Sequence, residues 1–229
     1  MANLTQLKRL EELDGFLLVD KPEGLAFSTV VKTVKRKFNL VKVGHGGSLD
    51  AMASGLMVLL INDANKFVDR VMGADRVYSG TMKFGETTDT GDRFGRSEPL
   101  PAMVMKIDEV QGDLFQTEPR FCSVRKEGTS EYEIVETGEH QQFLTHVYRF
   151  GVERAEGAGN GEAARFELKA AKGVMVRALA KDLGATLMSL RREKVGKFEV
   201  QDAIPFARLL ELGLGDFASC VLPLAKALA

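Results

Sequence analysis

The residue types that do chemistry concentrate in one stretch, Gly44-His45-Gly46-Gly47-Ser48-Leu49-Asp50-Ala51-Met52-Ala53-Ser54-Gly55. Three glycines, His45 and Asp50 fall within residues 44–50, and an apolar run over 56–61 follows directly. Glycines let the backbone take positive φ and let another molecule approach closely. A polar, bent loop feeding a rigid strand can hold one carboxylate still against a substrate. The phosphate-loop readings fail. No lysine follows the glycines as a Walker loop requires, and a dinucleotide fingerprint would need glycine at Leu49. A plainer reading stays open at this point, a glycine turn in which Asp50 accepts backbone hydrogen bonds.

Other charged residues gather in two basic sets. Lys32, Lys35, Arg36, Lys37 and Lys42 precede the loop; Arg177, Lys181, Arg191, Arg192, Lys194 and Lys197 come later. Acidic residues concentrate around 127–139 and 153–162. The formal net charge is only −1, so the chain is no broadly basic nucleic-acid binder. Segregated charge can still offer a basic face to phosphates. Two ordinary solvated faces are the other reading.

The elements that must position these residues can be read from pattern and breakers. A strand over 15–20 stops at Lys21-Pro22-Glu23-Gly24, a turn of fixed then free φ. Ser28 reads as the N-cap of a helix to about 38, with Val30, Val31, Val34 and Phe38 at helical spacing. After the strand over 56–61, Asn62 or Asp63 reads as the cap of a helix carrying Phe67, Val71 and Met72. Residues 77–84 alternate as a strand, and 87–95 form a loop. Residues 107–114 read as part of a short helix ending at Gly112.

The stretch 118–142 is polar and patternless, a candidate mobile insertion. Residues 145–153 and 164–171 read as a hairpin joined by the glycine-rich loop over 156–162. Leu179, Leu183 and Leu187 place 176–187 in a helix that carries Arg177 in its first turn. Residues 194–200 read as a last strand, and Pro205 fits the first turn of a helix to about 212. The sum is an α+β chain with a mixed sheet. At 229 residues, 45% apolar and 28% charged, it can bury a proper core.

No apolar run approaches the ~20 residues that span a bilayer, and residues 1–14 lack a signal core. Cys122 and Cys220 lie far apart and form no CxxC pair, so no zinc site is expected. These features lead to an expectation of a cytoplasmic protein without membrane contact.

Taken together, several segments resemble the TruB family of pseudouridine synthases. Gly15-Phe16-Leu17-Leu18-Val19-Asp20-Lys21-Pro22-Glu23-Gly24 is similar to that family's opening G-x-x-x-x-D-K-P-x-G. The stretch from Gly44 to Gly55 is similar to G-H-T-G-x-L-D-P-x-A-[TS]-G, with Gly46 and Ala51 in place of its threonine and proline. Tyr78 followed by Gly85-Glu86-Thr87-Thr88-Asp89-Thr90 resembles Y-x-x-x-x-x-x-G-x-x-T-D-T. Lys172-Gly173-Val174-Met175-Val176-Arg177 with Asp182-Leu183-Gly184 resembles K-G-T-Y-[IV]-R…D-L-G, Met175 standing for the tyrosine. Leu190-Arg191-Arg192 matches L-R-R. The matches keep family order and cover about residues 12–225.

The resemblance implies a pseudouridine-synthase-like catalytic domain over 1–229, with a mixed, mostly antiparallel central sheet flanked by helices. It implies a thumb-like insertion at 118–142, a short helical tail at 203–229, and no C-terminal PUA domain. It further implies a reaction that detaches uracil from ribose, rotates it and rejoins it through carbon, without metal, redox group or nucleotide cofactor. The target expected is uridine 55 in the T loop of tRNA, acted on by a monomer. By resemblance Asp50 is the catalytic carboxylate acting at the ribose, Arg177 its partner and Tyr78 the base-stacking residue. Met175 and Leu190 complete the uracil pocket, and His45 fills the stack vacated by the flipped base. Lys21 and Pro22 brace the loop or line the pocket, while Lys32, Lys35, Arg36, Lys42, Arg191 and Arg192 contact phosphates. Two other readings stay open, an RNA-folding chaperone with weak or lost catalysis and a synthase for another uridine.

Overall fold

The computed structural model describes residues 12–101, 104–125, 132–136, 142–153 and 163–228. The chain divides into two compact units, residues 1–74 with 192–229, and residues 75–191.

In the first unit, strand β1 (Gly15–Lys21) is followed by helix α1 (Phe27–Lys37) and the short strand β2 (Val43–His45). Strand β3 (Ser54–Ile61), a 3-10 turn (Asn62–Phe67) and helix α2 (Val68–Met72) come next. β1 and β3 run antiparallel from Gly15↔Ile61 to Lys21↔Gly55, so the loop holding Asp50 hangs beyond paired Lys21 and Gly55. Nearly every residue of both strands is buried rather than every second one, so both faces of this sheet are covered. Phe16, Leu18, Leu56, Val58 and Leu60 pack on one side with Val71 and Val195.

The α1 helix begins one residue before Ser28, with Ala26 as an N-cap that makes no side-chain bond. Ser28 therefore sits inside the helix and caps nothing. Lys35, Arg36 and Lys37 occupy its last turn, where cations suit the helix dipole. Asn62 also does not cap: it takes φ 47°, and its side-chain amide donates to the Leu13 carbonyl while its oxygen accepts the Lys42 N–H.

The second unit opens with strand β4 (Arg76–Phe84) and the small ladder of β5 (Thr87–Thr88) and β6 (Ser97–Glu98). Residues 107–109 make only a single 3-10 turn. Gly112 then takes φ 113° and opens strand β7 (Gly112–Thr117), so the helix read over 107–114 is replaced by a turn and a strand. The insertion is not patternless, because β8 (Phe121–Arg125) and β9 (Tyr132–Glu136) pair antiparallel. Residues 126–131 and 137–141 lie outside the described residues.

Strands β10 (Gln142–Glu153) and β11 (Ala163–Ala170) form the expected antiparallel pair; their connection, 154–162, lies outside the described residues. Helix α3 (Val176–Asp182) stops five residues short of the end that its leucine spacing predicts, at 182 rather than 187. Gly184 at φ 61° ends it, as a left-handed C-terminal glycine does, and Leu187 falls on strand β12 (Ala185–Val195) instead. The strand order in this unit is β12-β4-β11-β10-β7.

β12 carries the chain back into the first unit, where its last residues belong. The strand read over 194–200 is in fact a tight turn: Gly196 at φ 56° lets Val195 pair with Phe198 of β13 (Phe198–Glu199). Strand β14 (Ile204–Pro205) runs parallel to β1, which makes the sheet mixed. Helices α4 (Phe206–Leu209) and α5 (Leu214–Cys220), strand β15 (Leu222–Pro223) and helix α6 (Leu224–Leu228) complete the unit. Phe217 of α5 stacks on Phe38 just beyond α1, with centroids 3.7 Å apart. Pro205 is the N-cap residue of α4, just before the position expected of it.

Candidate functional site

In the first unit the loop between β2 and β3 is anchored by its own apolar residues, Leu49, Met52 and Ala53, all buried. Asp50 between them is half-buried. Its carbonyl accepts the Ala53 N–H at 3.1 Å, and the Ala51 carbonyl accepts the Gly24 N–H at 2.7 Å, which ties the loop to the turn after β1. Gly46 is where the family motif has threonine. A Cβ there would collide with Cγ1 of Val71, so the space a larger residue would need is filled from α2.

Two buried cations hold the loop through its carbonyl oxygens. The Lys21 side chain is fully buried, and its Nζ donates to the carbonyls of Pro22 and Leu25, both at 2.8 Å, and of Ala51 at 3.4 Å. Burial pushes its ammonium down to about 8; the Asp50 carboxylate opposes this, and the Arg192 guanidinium adds to the lowering. Arg192 is only 1% exposed. Its Nε donates to the Leu56 carbonyl at 2.7 Å, Nη1 to Ser48 at 2.8 Å and Nη2 to Gly47 at 3.3 Å. The expectation that Arg192 contacts phosphate is corrected here: its donors are turned into the protein.

His45 lies on β2 rather than in a free loop, paired with Leu59. Its ring meets Phe27 edge-on at 5.0 Å, and its Nδ1 accepts the Gly47 N–H at 3.3 Å. With Nδ1 accepting, a neutral ring carries its proton on Nε2. Pro22 is exposed, as are Lys32, Lys35, Arg36 and Lys42.

In the second unit the start of α3 forms another organised cluster. Arg177 donates from Nη1 to the Thr90 carbonyl at 3.0 Å and from Nη2 to the Phe121 carbonyl at 3.1 Å, joining the 87–95 loop to the root of β8. Gly91, at φ 75°, leaves no room for a side chain, since a Cβ there would stand 2.8 Å from the Arg177 carbonyl. The backbone of Met175 is gripped at both polar atoms by the buried side chain of Gln116. Sequence reading passed over Gln116. The available signal was a polar residue at an inward position of an alternating strand, next to inward Leu114.

Tyr78 is 6% exposed on β4, opposite Leu168 of β11. Leu190 is buried on β12, and Arg191 is half-buried. A cavity of about 1060 Å³ is lined by Thr90, Glu98, Arg120, Arg177, Lys181 and Asp182, among others. Asp182 Oδ2 is buried there without a hydrogen-bond partner among the described residues. Burial pushes this carboxyl up to about 6, with Lys181 opposing. Lys181 itself is paired with Glu98 at 2.7 Å.

The residues singled out by sequence thus divide between the units. Lys21, Pro22, His45, Asp50 and Arg192 belong to the first, Tyr78, Met175, Arg177, Leu190 and Arg191 to the second. Among the described residues no three His, Cys, Asp or Glu side chains gather as metal ligands. Nor is any helix among them long and apolar enough to cross a membrane.

Comparison with known proteins gives these arrangements a context. The chain is 32% identical over 234 residues to tRNA pseudouridine synthase B of Opitutus terrae, covering 95% of each. With tRNA pseudouridine synthase B of Aquifex aeolicus it shares 32% over 212 residues, 86% of this chain and 74% of that protein. Its fold resembles the chain matched in a crystal structure of a Cbf5-Nop10-Gar1 complex, with TM-score 0.67 and 22% identity. The match covers 96% of this chain but spans only 63% of that one. The family model of the TruB family pseudouridylate synthase N-terminal domain matches residues 35–176, from the end of α1 to the start of α3. The chain therefore belongs to the TruB family of pseudouridylate synthases.

Proposed function

We propose that this protein converts a uridine of tRNA to pseudouridine, and that the target is uridine 55 in the T loop. The observation that carries the reading is the Asp50 loop, a half-buried carboxylate on a backbone fixed by two buried cations. It supports a reaction in which one carboxylate must stand in a fixed place beside a sugar. The target base is flipped out of its stack, at a cost of a few kcal/mol. The bond from C1′ to N1 breaks as Asp50 acts at the ribose. The detached uracil turns and C5 bonds to C1′; C5 then loses its proton and N1 ends protonated. Atoms balance without an oxidant or reductant.

By the family motif Tyr78 and Arg177 complete the catalytic set. Tyr78 supplies an aromatic face to the base, and Met175 and Leu190 supply apolar, polarizable cover. The exposed cations of α1, with Lys42, are assigned to RNA phosphates. His45, with its ring held at one edge by Gly47, is assigned to the gap left by the flipped base.

The test is tritium release from a T-loop stem-loop RNA carrying 5-tritiated uridine, with wild type and Asp50→Ala. Release by wild type alone is expected. Release by both proteins would remove Asp50 from the mechanism; release by neither, with RNA binding intact, would remove uridine 55 as the target.

A further inference from the structure

We propose that Arg192 is a positioning residue for the reaction, the group that sets where the Asp50 carboxylate stands; the proposal rests on Asp50 being the reacting carboxylate. One planar guanidinium bonds Gly47 and Ser48, just before Asp50, and Leu56, just after the loop has become strand. It therefore fixes the loop's entry relative to its exit. Lys21 grips a different carbonyl, that of Ala51, so the carboxylate is bracketed on both chain sides by cation-held backbone.

The loop's exit is shaped to admit the backbone of Arg192. Gly55 takes φ 105°, and a Cβ at that position would collide with the Arg192 carbonyl oxygen and stand 2.7 Å from its nitrogen. β12 thus lies against the loop's exit, and its arginine reaches beneath the loop. Stability alone does not call for a charge there. Burying a cation costs several kcal/mol, and a well-packed apolar residue usually serves a core as well or better. What an apolar residue lacks is rigid, divergent N–H donors that pin separate carbonyls at once. Lysine lacks that fork too, since it offers one flexible point charge. The side chain is also too buried to meet a phosphate, so its effect belongs in the rate and not in RNA affinity.

Arg192→Lys and Arg192→Gln are compared with wild type in tritium release from the T-loop stem-loop. Hydrogen exchange is read at amides 47–50 and 57–60 in the free proteins. Both variants are expected to lose about 100-fold in kcat, the scale of an ångström-sized misplacement, with KM within about twofold of wild type. Amides 47–50 should exchange at least about tenfold faster while 57–60 keep their protection. The salt slope of RNA binding should not change. Wild-type kcat in Arg192→Lys, or raised KM with a reduced salt slope, overturns the proposal. So does equal loss of protection at 57–60, which would make Arg192 a folding residue. If wild type releases no tritium, the uridine assignment fails while exchange at 47–50 still decides the role of Arg192.

Discussion

Gln116 holds Met175 by both backbone polar atoms, its Nε2 donating to the Met175 carbonyl at 3.1 Å and its Oε1 accepting the Met175 N–H at 3.0 Å. The amide thereby substitutes for a strand neighbour at the residue that opens α3, two positions before Arg177. Gln116→Leu keeps the volume but leaves the Met175 N–H unsatisfied, while the Met175 carbonyl keeps the Leu179 N–H at 3.0 Å. It should lower unfolding free energy by about 1–3 kcal/mol, read from urea midpoints at constant m. Gln116→Glu, whose ionised form would bury a charge and set a carboxylate oxygen against the Met175 carbonyl, should cost at least as much as the Leu variant. A Leu variant as stable as wild type would show that the amide contributes nothing.

Gly46 and Val71 are coupled by shape. Restoring the family threonine with Gly46→Thr overpacks the site against Val71 and should cost about 1–3 kcal/mol. Val71→Ala opens the space, so the double variant should be more stable than the sum of the two single effects predicts. A double-mutant cycle by thermal or chemical unfolding reads this directly. Simple additivity would mean the collision is relieved elsewhere.

Asp182 should lower stability at neutral pH. Its folded-state value near 6 lies above the ordinary 3.8, so the folded protein binds the extra proton between those limits. Its favourable contribution is complete below about 4 and lost as pH rises through about 6. Asp182→Asn should match wild type near pH 3.5 and exceed it by about 1–3 kcal/mol from pH 7 upward. A constant difference across that range would place the effect in packing rather than in ionisation.

The basic surface of α1 makes a prediction about slope. If Lys35, Arg36 and Lys42 meet phosphates, each alanine replacement should reduce the slope of log K against log salt by about one. Folding should hardly change, since all three are exposed. A uniform loss of affinity with an unchanged slope would assign them another role.

Local patterns were legible wherever one face or one turn decided the outcome. The inward positions of β11 alternate without a break from Ala164 to Ala170, and the β1 run ended at the proline and glycine that stop it. The Asp50 loop was legible for the same reason, since its residue types are too unusual for a simple connection. Arg192 was not, because an arginine in a basic run reads as surface. Its burial depends on carbonyls about 140 residues away and on the missing side chain of Gly55. Leu179, Leu183 and Leu187 misled because helical spacing continued by coincidence past Gly184, whose positive φ decides the stop. Gln116 carries no motif, and its purpose appears only once α3 lies beside β7.

Residues 12–74 and 192–228 share one unit, though 117 residues separate them in the chain. During synthesis the Asp50 loop leaves the ribosome long before Arg192 exists. At about 5–20 residues per second, the interval between Ser48 and Arg192 is roughly 7–30 s. Throughout that time the carboxylate lacks the guanidinium that sets it. A nascent chain interrupted anywhere in the second unit is therefore born with its loop unset.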